Sequence, residues 1–468
     1  MANPFHANTG SELKHPSPLA RTLQEKLDYD QLTNCMRCGF CLPACPTFRE
    51  TGIEPESPRG RIALMKAVAD GLMESDEQFR EQMDHCLGCR ACEPACPADV
   101  KYGQLIEQAR DAIEDHSTRG IPAKMMRKLF LKNLFPHRNR LRRVGQALRF
   151  YQSSRLRHSA GVSGIMRLLP ASLREMEQIL PEASPDGVIE RLGNRYTAKG
   201  VPLARVALFR GCMMDLLFAD TNVNTVKLLS EAGFDVVIPS EQVCCGALHA
   251  HSGELDAARS LAKTNISIFE ETGAEFIVSN AGGCGALLSE TGHLLHEDPD
   301  WADRAAAFAS RIVDVGQLIV ERGRIPRFKE PAGSSAGPVT VTYQDSCHLL
   351  NVMRSGSAPR QLIKQVDNIR YHELEEAGRC CGSAGIYNLT QPQMAGQILE
   401  HKMEHVNAAG AHYLLTSNPG CLLQMKLGVH KHGQNSSTEV MHLVDFLFER
   451  LETADNRSLD SREQDQRT

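Results

Sequence analysis

The chain has 468 residues, a formal net charge of -5 and sixteen cysteines. That length carries two or three domains with real cores and exceeds that of a small secreted domain stapled by disulfides. Residues Met1 to Ser17 are polar, without the apolar stretch of a signal peptide, and no run approaches the ~18 apolar residues of a membrane span. The expectation is a cytoplasmic protein whose thiols stay reduced and bind metal, with any membrane association peripheral, on the cytoplasmic face.

Residues 1–30 read as an N-terminal extension, disordered at first, with a short helix from Pro18 to Asp30 on the stripe Leu19, Leu23, Leu27. Two copies of C-x2-C-x2-C-x3-C-P follow: Cys35, Cys38, Cys41, Cys45, Pro46 and Cys86, Cys89, Cys92, Cys96, Pro97. This is the spacing of a two-cluster ferredoxin, in which three near thiolates hold one [4Fe-4S] cube and the fourth crosses to the other. The crossing gives Cys35, Cys38, Cys41 and Cys96 to the first cluster, and Cys45, Cys86, Cys89 and Cys92 to the second. A pair of zinc knots is the alternative, since C-x2-C pairs also build tetrahedral zinc sites. Inside this 31–116 module Ser57-Pro58 opens a helix on Ile62, Met65, Val68 and Leu72, and another runs from Gly103 to Asp115.

Residues 117–200 read as a basic helical linker. Ile121 to Ala160 holds eleven Lys or Arg and no acid, a basic strap on an otherwise acidic chain. Met126, Leu129, Phe130 and Leu134 recur at helical spacing beside Lys124, Arg127, Lys128 and Lys132, before the break at Pro136. These four cations are candidates for docking an acidic partner or an anionic membrane surface; the plainer reading is a linker helix with a solvated face. No nucleic-acid motif accompanies them.

From Val201 the texture changes. Short apolar runs at Val206–Phe209, Val236–Ile238 and Phe276–Val278 alternate with helical segments, and Val339–Tyr343, Tyr371–Leu374 and Tyr413–Leu415 repeat the order. Alternation of this kind predicts parallel sheets covered by helices. The fold class is therefore multidomain α+β: a helical two-[4Fe-4S] module, then a duplicated α/β domain at 201–330 and 339–451. Pro331 to Pro338 forms a flexible joint, and 452–468 a disordered tail.

The remaining cysteines follow the duplication. Cys212 to Cys347 spans 135 residues, Cys244 to Cys380 and Cys245 to Cys381 each span 136, and Cys284 to Cys421 spans 137. Each lies a few residues beyond a predicted strand, at the edge where parallel sheets bind ligands. Four thiols gathered per copy make one or more further clusters the sharper reading and packed free cysteines the blander one. His249 and His348 are weaker candidates. No dinucleotide fingerprint, P-loop, H-E-x-x-H or G-x-S-x-G occurs, so the chain is expected to relay electrons, with no catalytic residue of its own.

With these motifs laid out, the chain resembles the iron-sulfur subunit of bacterial glycolate oxidase, a glycolate dehydrogenase. The resemblance rests on Cys38-Gly-Phe-Cys41, Pro58-Arg-Gly-Arg-Ile62, Cys86-Leu-Gly-Cys89-Arg-Ala-Cys92, Cys244-Cys-Gly-Ala247, Gly283-Cys-Gly-Ala286 and Cys380-Cys-Gly-Ser-Ala-Gly-Ile-Tyr387. It implies FAD-containing partner subunits that oxidise glycolate to glyoxylate, with electrons passing through this chain toward quinone or another acceptor. The duplicated half, with its repeated Cys-Cys-Gly (CCG) turns, also resembles the cysteine-rich domains of heterodisulfide reductase, of lactate-utilisation proteins and of anaerobic glycerol-3-phosphate dehydrogenase. Those kinships imply, as alternatives, the same role beside a lactate, glycerol-3-phosphate or other 2-hydroxy-acid dehydrogenase, or a catalytic heterodisulfide-reductase-like chain. Ala281 and Asn418 stand where the heterodisulfide pattern has another cysteine.

Overall fold

A computed structural model describes residues 17–117, 120–154, 171–329, 337–434 and 437–452. The expectations for residues 1–16, for 331–336 of the joint, for 453–468 of the tail and for the strap beyond residue 154 lie outside the described residues. The chain forms two compact units, one from 1–124 with 248–256, the other from 125–247 with 257–468.

The first unit is helical. Leu19, Leu23 and Leu27 pack with Met65, Val68, Phe79, Leu105 and Ile106 in one apolar core. The first helix, Pro18–Lys26, ends short of the expected Asp30, because the Asp28 carboxylate accepts the Gln31 N–H at 3.0 Å and starts a new helix, Tyr29–Thr33. Ser57 caps Pro58–Ala69 by accepting the Gly60 N–H at 3.0 Å. That helix stops before Leu72, which is 67% exposed beyond the left-handed Gly71. The helix Tyr102–Asp115 lies against the same core.

The second unit holds two sheets. β1 (Arg195–Tyr196), β2 (Ala204–Phe209), β3 (Phe234–Val237), β4 (Phe276–Ser279) and β5 (Ile312–Asp314) pair in the order β1-β3-β2-β4-β5; only β1 is antiparallel to its neighbour. β6 (Val339–Tyr343), β7 (Ile369–Tyr371), β8 (Tyr413–Thr416) and β9 (Glu439–His442) form an all-parallel sheet in the order β7-β6-β8-β9. One core runs through both, joining Val206, Phe234 and Val278 to Val341, Leu415 and Phe446. Polar bonds also tie the copies together: Thr221 Oγ1 donates to Asp445 at 2.7 Å, and His442 Nε2 lies 3.0 Å from the Asn280 carbonyl.

The basic strap departs from a continuous α-helix. Ile121–Arg127 is α-helical, but Lys128–Leu134 is a π-helical stretch, with the Phe135 N–H bonded to the Phe130 carbonyl at 3.0 Å. The wider turn shifts the register. Leu131 is buried, while Met126, Leu129 and Phe130 of the expected stripe are exposed by 53%, 53% and 38%. Among the described residues no helix is long and apolar enough to cross a membrane.

Candidate iron-sulfur centres

The two ferredoxin-type loops fold alike. Leu42 N–H bonds to the Gly39 carbonyl and Cys45 N–H to that of Leu42, and Glu93 to Arg90 and Cys96 to Glu93 repeat the pattern. Both loops turn through two left-handed residues, Arg37 and Gly39 in one, Gly88 and Arg90 in the other. Positive φ at these positions coils the backbone around its thiols, and the Gly88 N–H points at Cys86 Sγ at 3.4 Å.

Cys45 is buried and close enough to the opposite loop that the charges of Cys45, Cys89 and Cys92 oppose one another; burial pushes the Cys45 and Cys92 thiols up first, and neighbouring cysteines add to it. Cys35, Cys41 and Cys96 pack half-exposed against the unit's core, and Cys38 is exposed.

Beneath this loop lies a cation that the sequence reading did not single out. Arg61 has no exposed surface; Nη1 donates to the Glu56 carbonyl at 2.6 Å, Nη2 to the Glu56 carboxylate at 2.6 Å and Nε to the Gln82 carbonyl at 2.7 Å. Burial opposes its charge, but Tyr102, Cys86, Cys45 and Glu56 together hold its pKa above the usual value. Tyr102 reaches Cys86 Sγ at 3.6 Å, and His85 Nδ1 lies 2.7 Å from Glu56. A clue was available: Arg61 precedes Met65 and Val68 by one and two turns, on the apolar stripe where a cation needs a buried partner.

In the second unit all eight remaining thiols follow strand ends. Cys212 follows β2, Cys244 and Cys245 follow β3, and Cys284 lies on the helix Gly282–Ser289 after β4. Cys212 Sγ and Cys244 Sγ are 3.7 Å apart, and Cys245 lies near Cys244 and Cys284. In the second copy Cys381 lies near Cys380 and Cys421, with Cys347 at the head of the helix after β6. The hydrogen bond to Cys244, then burial, pushes the Cys212 thiol well up; metal binding would therefore displace protons.

Gly246 and Gly382 are both left-handed and face the following helix, at Ala258 and Ala395, closely enough that a Cβ on Gly382 would sit 2.8 Å from a backbone oxygen. These turns direct the Gly246 and Ala247 N–H groups toward Cys244 and Cys245, each at 3.5 Å. Asn418, at the place of the missing cysteine, donates to Cys421 Sγ at 3.5 Å and accepts the Gly283 N–H at 3.1 Å from the other copy. Lys402 is fully buried near Cys380 and Cys381; burial pulls its pKa down to about 8 against the opposing pull of those thiols. His249 is fully buried and His348 half-buried.

Among the described residues no three His, Cys, Asp or Glu side chains converge tightly enough to hold a single metal ion. The donor set is instead thiols set around loops that aim backbone N–H groups at sulfur, which suits an iron-sulfur cluster.

Fold and thiol chemistry together define an iron-sulfur protein made of a dicluster module and a duplicated cysteine-rich domain. Family models agree: a 4Fe-4S dicluster domain matches residues 31–100, a cysteine-rich domain matches 206–289 and 341–426, and the linker region of the glycolate oxidase iron-sulfur subunit matches 122–180. The chain is 47% identical to the probable glycolate oxidase iron-sulfur subunit of Bacillus subtilis, over 93% of this chain and 98% of that one. It is 29% identical to the glycolate oxidase iron-sulfur subunit of Escherichia coli, over 90% and 94%, and 31% identical to lactate utilization protein A of an Exiguobacterium, over 54% and 100%. The chain belongs to the glycolate oxidase iron-sulfur subunit family.

Proposed function

We propose that this chain is the electron-relay subunit of a glycolate dehydrogenase complex, taking electrons from an FAD-containing partner that oxidises glycolate to glyoxylate and delivering them to quinone or another acceptor. Cys35, Cys38, Cys41 and Cys96 would hold one [4Fe-4S] cluster, and Cys45, Cys86, Cys89 and Cys92 a second. Cys212, Cys244, Cys245 and Cys284, with Cys347, Cys380, Cys381 and Cys421, offer sites for further clusters. When bound, such clusters take up and release single electrons, which suits a link between a two-electron flavin and its acceptor.

The observation that carries this reading is the nearness of Cys45 to Cys89 and Cys92 across the two loops. The chain's own groups set the environment: Arg61 supplies fixed positive charge under Cys45 and Cys86, and loop N–H groups orient toward sulfur. The chain is not catalytic alone in this reading; proton and hydride abstraction belong to the flavoprotein. Lys124, Arg127, Lys128 and Lys132 belong to the docking face for that partner or for the anionic cytoplasmic membrane surface. Arg127 is half-buried and the three lysines are exposed.

The test is anaerobic mixing with the co-purifying flavoprotein and glycolate. Bleaching of the iron-sulfur absorbance that needs both flavoprotein and glycolate is expected; bleaching only with lactate or glycerol 3-phosphate would reassign the partner, and none with any 2-hydroxy acid would overturn the relay.

A further inference from the structure

The thiols assigned to the two ferredoxin-type clusters differ in their access to water. Cys45, Cys86, Cys89 and Cys92, assigned to the second cluster, are all buried. Cys35, Cys41 and Cys96 of the first are half-exposed, and Cys38 is the one exposed thiol of the chain's sixteen. Transfer of a single electron falls off steeply with distance, so a donor bound at this surface reaches the first cluster before the second.

Apolar side chains stand out in water beside Cys38. Met36 and Phe40, two residues to either side of it, are 65% and 66% exposed, and Ile53 is 55% exposed. Arg59 joins the two segments: Nη1 donates to the Arg37 carbonyl at 3.0 Å, while Nε and Nη2 hold the Glu54 carboxylate at 2.6 and 3.0 Å. The guanidinium lies near Cys38 and Cys41, and the left-handed Gly39 makes room for it, since a Cβ there would come within 2.7 Å of Nη1. Ile53, next to Glu54, is thereby held beside the loop that carries Met36 and Phe40.

Large apolar side chains gathered in water mark a surface that another molecule covers, and Met and Phe are enriched at the centres of protein interfaces. The charge here fits a protein and not an anionic bilayer. Glu54 neutralises Arg59, and Met36 to Pro43 holds a single charged residue, Arg37, against the eleven cations of the basic strap.

We propose that Met36, Phe40 and Ile53 form the apolar centre of the docking surface for the FAD-containing partner, and that the cluster assigned to Cys35, Cys38, Cys41 and Cys96 is the one its electrons enter. Oxidation of glycolate to glyoxylate leaves two electrons on the reduced flavin. They pass singly to the first cluster and onward to the acceptor, each cluster reduced by one electron in turn, while the two protons leave from the flavoprotein. This rests on the relay role proposed above and adds to it the place and order of electron entry.

The test is anaerobic binding of the iron-loaded full chain to the co-purifying flavoprotein, paired with stopped-flow bleaching on addition of glycolate. Phe40→Ser should raise the Kd about tenfold and Ile53→Ser several-fold. Both losses should persist at high salt, because no charge is changed, with iron content and bleaching by dithionite as in wild type. Ile53 lies outside the cysteine loop, so Ile53→Ser decides the outcome if Phe40→Ser loses iron. In Cys45→Ser, which lacks a ligand of the second cluster, glycolate should still reduce the first, read by EPR. Wild-type affinity in the iron-loaded variants, loss of self-association of the chain instead of flavoprotein binding, or no reduction of the first cluster in Cys45→Ser would overturn the proposal and leave the relay standing. Failure of the wild-type chain to bleach would overturn both.

Discussion

Asn265 and Lys402 occupy the same place in the two copies. Each lies seven residues beyond the alanine that its Cys-Cys-Gly turn packs against, Ala258 in one and Ala395 in the other. Asn265 is neutral, accepting the Val243 N–H at 3.2 Å and donating to the Cys244 carbonyl at 3.0 Å. Lys402 instead brings a buried ammonium, donated to the Glu376 carbonyl at 2.6 Å, near Cys380 and Cys381. A cation there favours an anionic thiolate-ligated centre, so if the second copy holds the further cluster proposed for it, Lys402→Asn should release that cluster's iron to a chelator roughly tenfold faster. The ferredoxin-type clusters should be unaffected. Chelation kinetics followed by iron content and EPR check this; equal rates would remove Lys402 from the account.

Arg61 and Glu56 make the corresponding test in the first unit. Arg61→Leu leaves the buried Glu56 carboxylate with His85 but without its guanidinium, and should cost up to about 3–5 kcal/mol, read as a lower unfolding temperature, together with loss of the cluster assigned to Cys45, Cys86, Cys89 and Cys92. Adding Glu56→Gln should recover part of the stability. Full stability in Arg61→Leu alone would show that the network is dispensable.

Asp314 gives a prediction in pH. It is buried at the end of β5, its carboxylate accepting the Gly316 N–H at 2.8 Å and the Gln317 N–H at 3.3 Å, and burial outweighs those bonds to raise its pKa to about 6. Between the unfolded value near 3.8 and about 6 the folded chain keeps a proton that the unfolded chain releases. Stability from this group is therefore complete below that window and falls as pH rises through it, by ~3 kcal/mol at most. Asp314→Asn keeps an acceptor for the cap and should be relatively more stable at about pH 7 than at about pH 5, measured as the melting difference from wild type. A difference independent of pH would contradict it.

The exposed strap predicts a salt-sensitive association. Replacing Lys124, Lys128 and Lys132 together by Glu should weaken binding to the flavoprotein or to anionic vesicles by at least about tenfold, with iron content unchanged. Co-sedimentation with each, side by side, identifies the surface involved, and undiminished binding to both would leave the strap as a linker.

What the sequence made legible follows from the period of its signals. The cysteine spacings and the apolar strands β2, β4, β6 and β8 are local patterns, and the structure places them where those patterns point. β1, β5 and β9 escaped because two to four residues, mixed with polar ones such as Arg195, Asp314 and Glu439, carry no readable alternation. The strap was read as one α-helical period, and the π-helical stretch at Lys128–Leu134 changes that period. Lys402 reaches the Glu376 carbonyl, distant in sequence, and spacing alone does not reveal it.

Iron and acid-labile sulfide per chain after anaerobic purification, with EPR of the reduced protein, test the central claim most directly. The account predicts at least two cubes' worth of each, a reduced signal of two interacting centres, and loss of one centre but not the other in Cys45→Ser. A colourless chain without iron, or one holding only zinc, would contradict it.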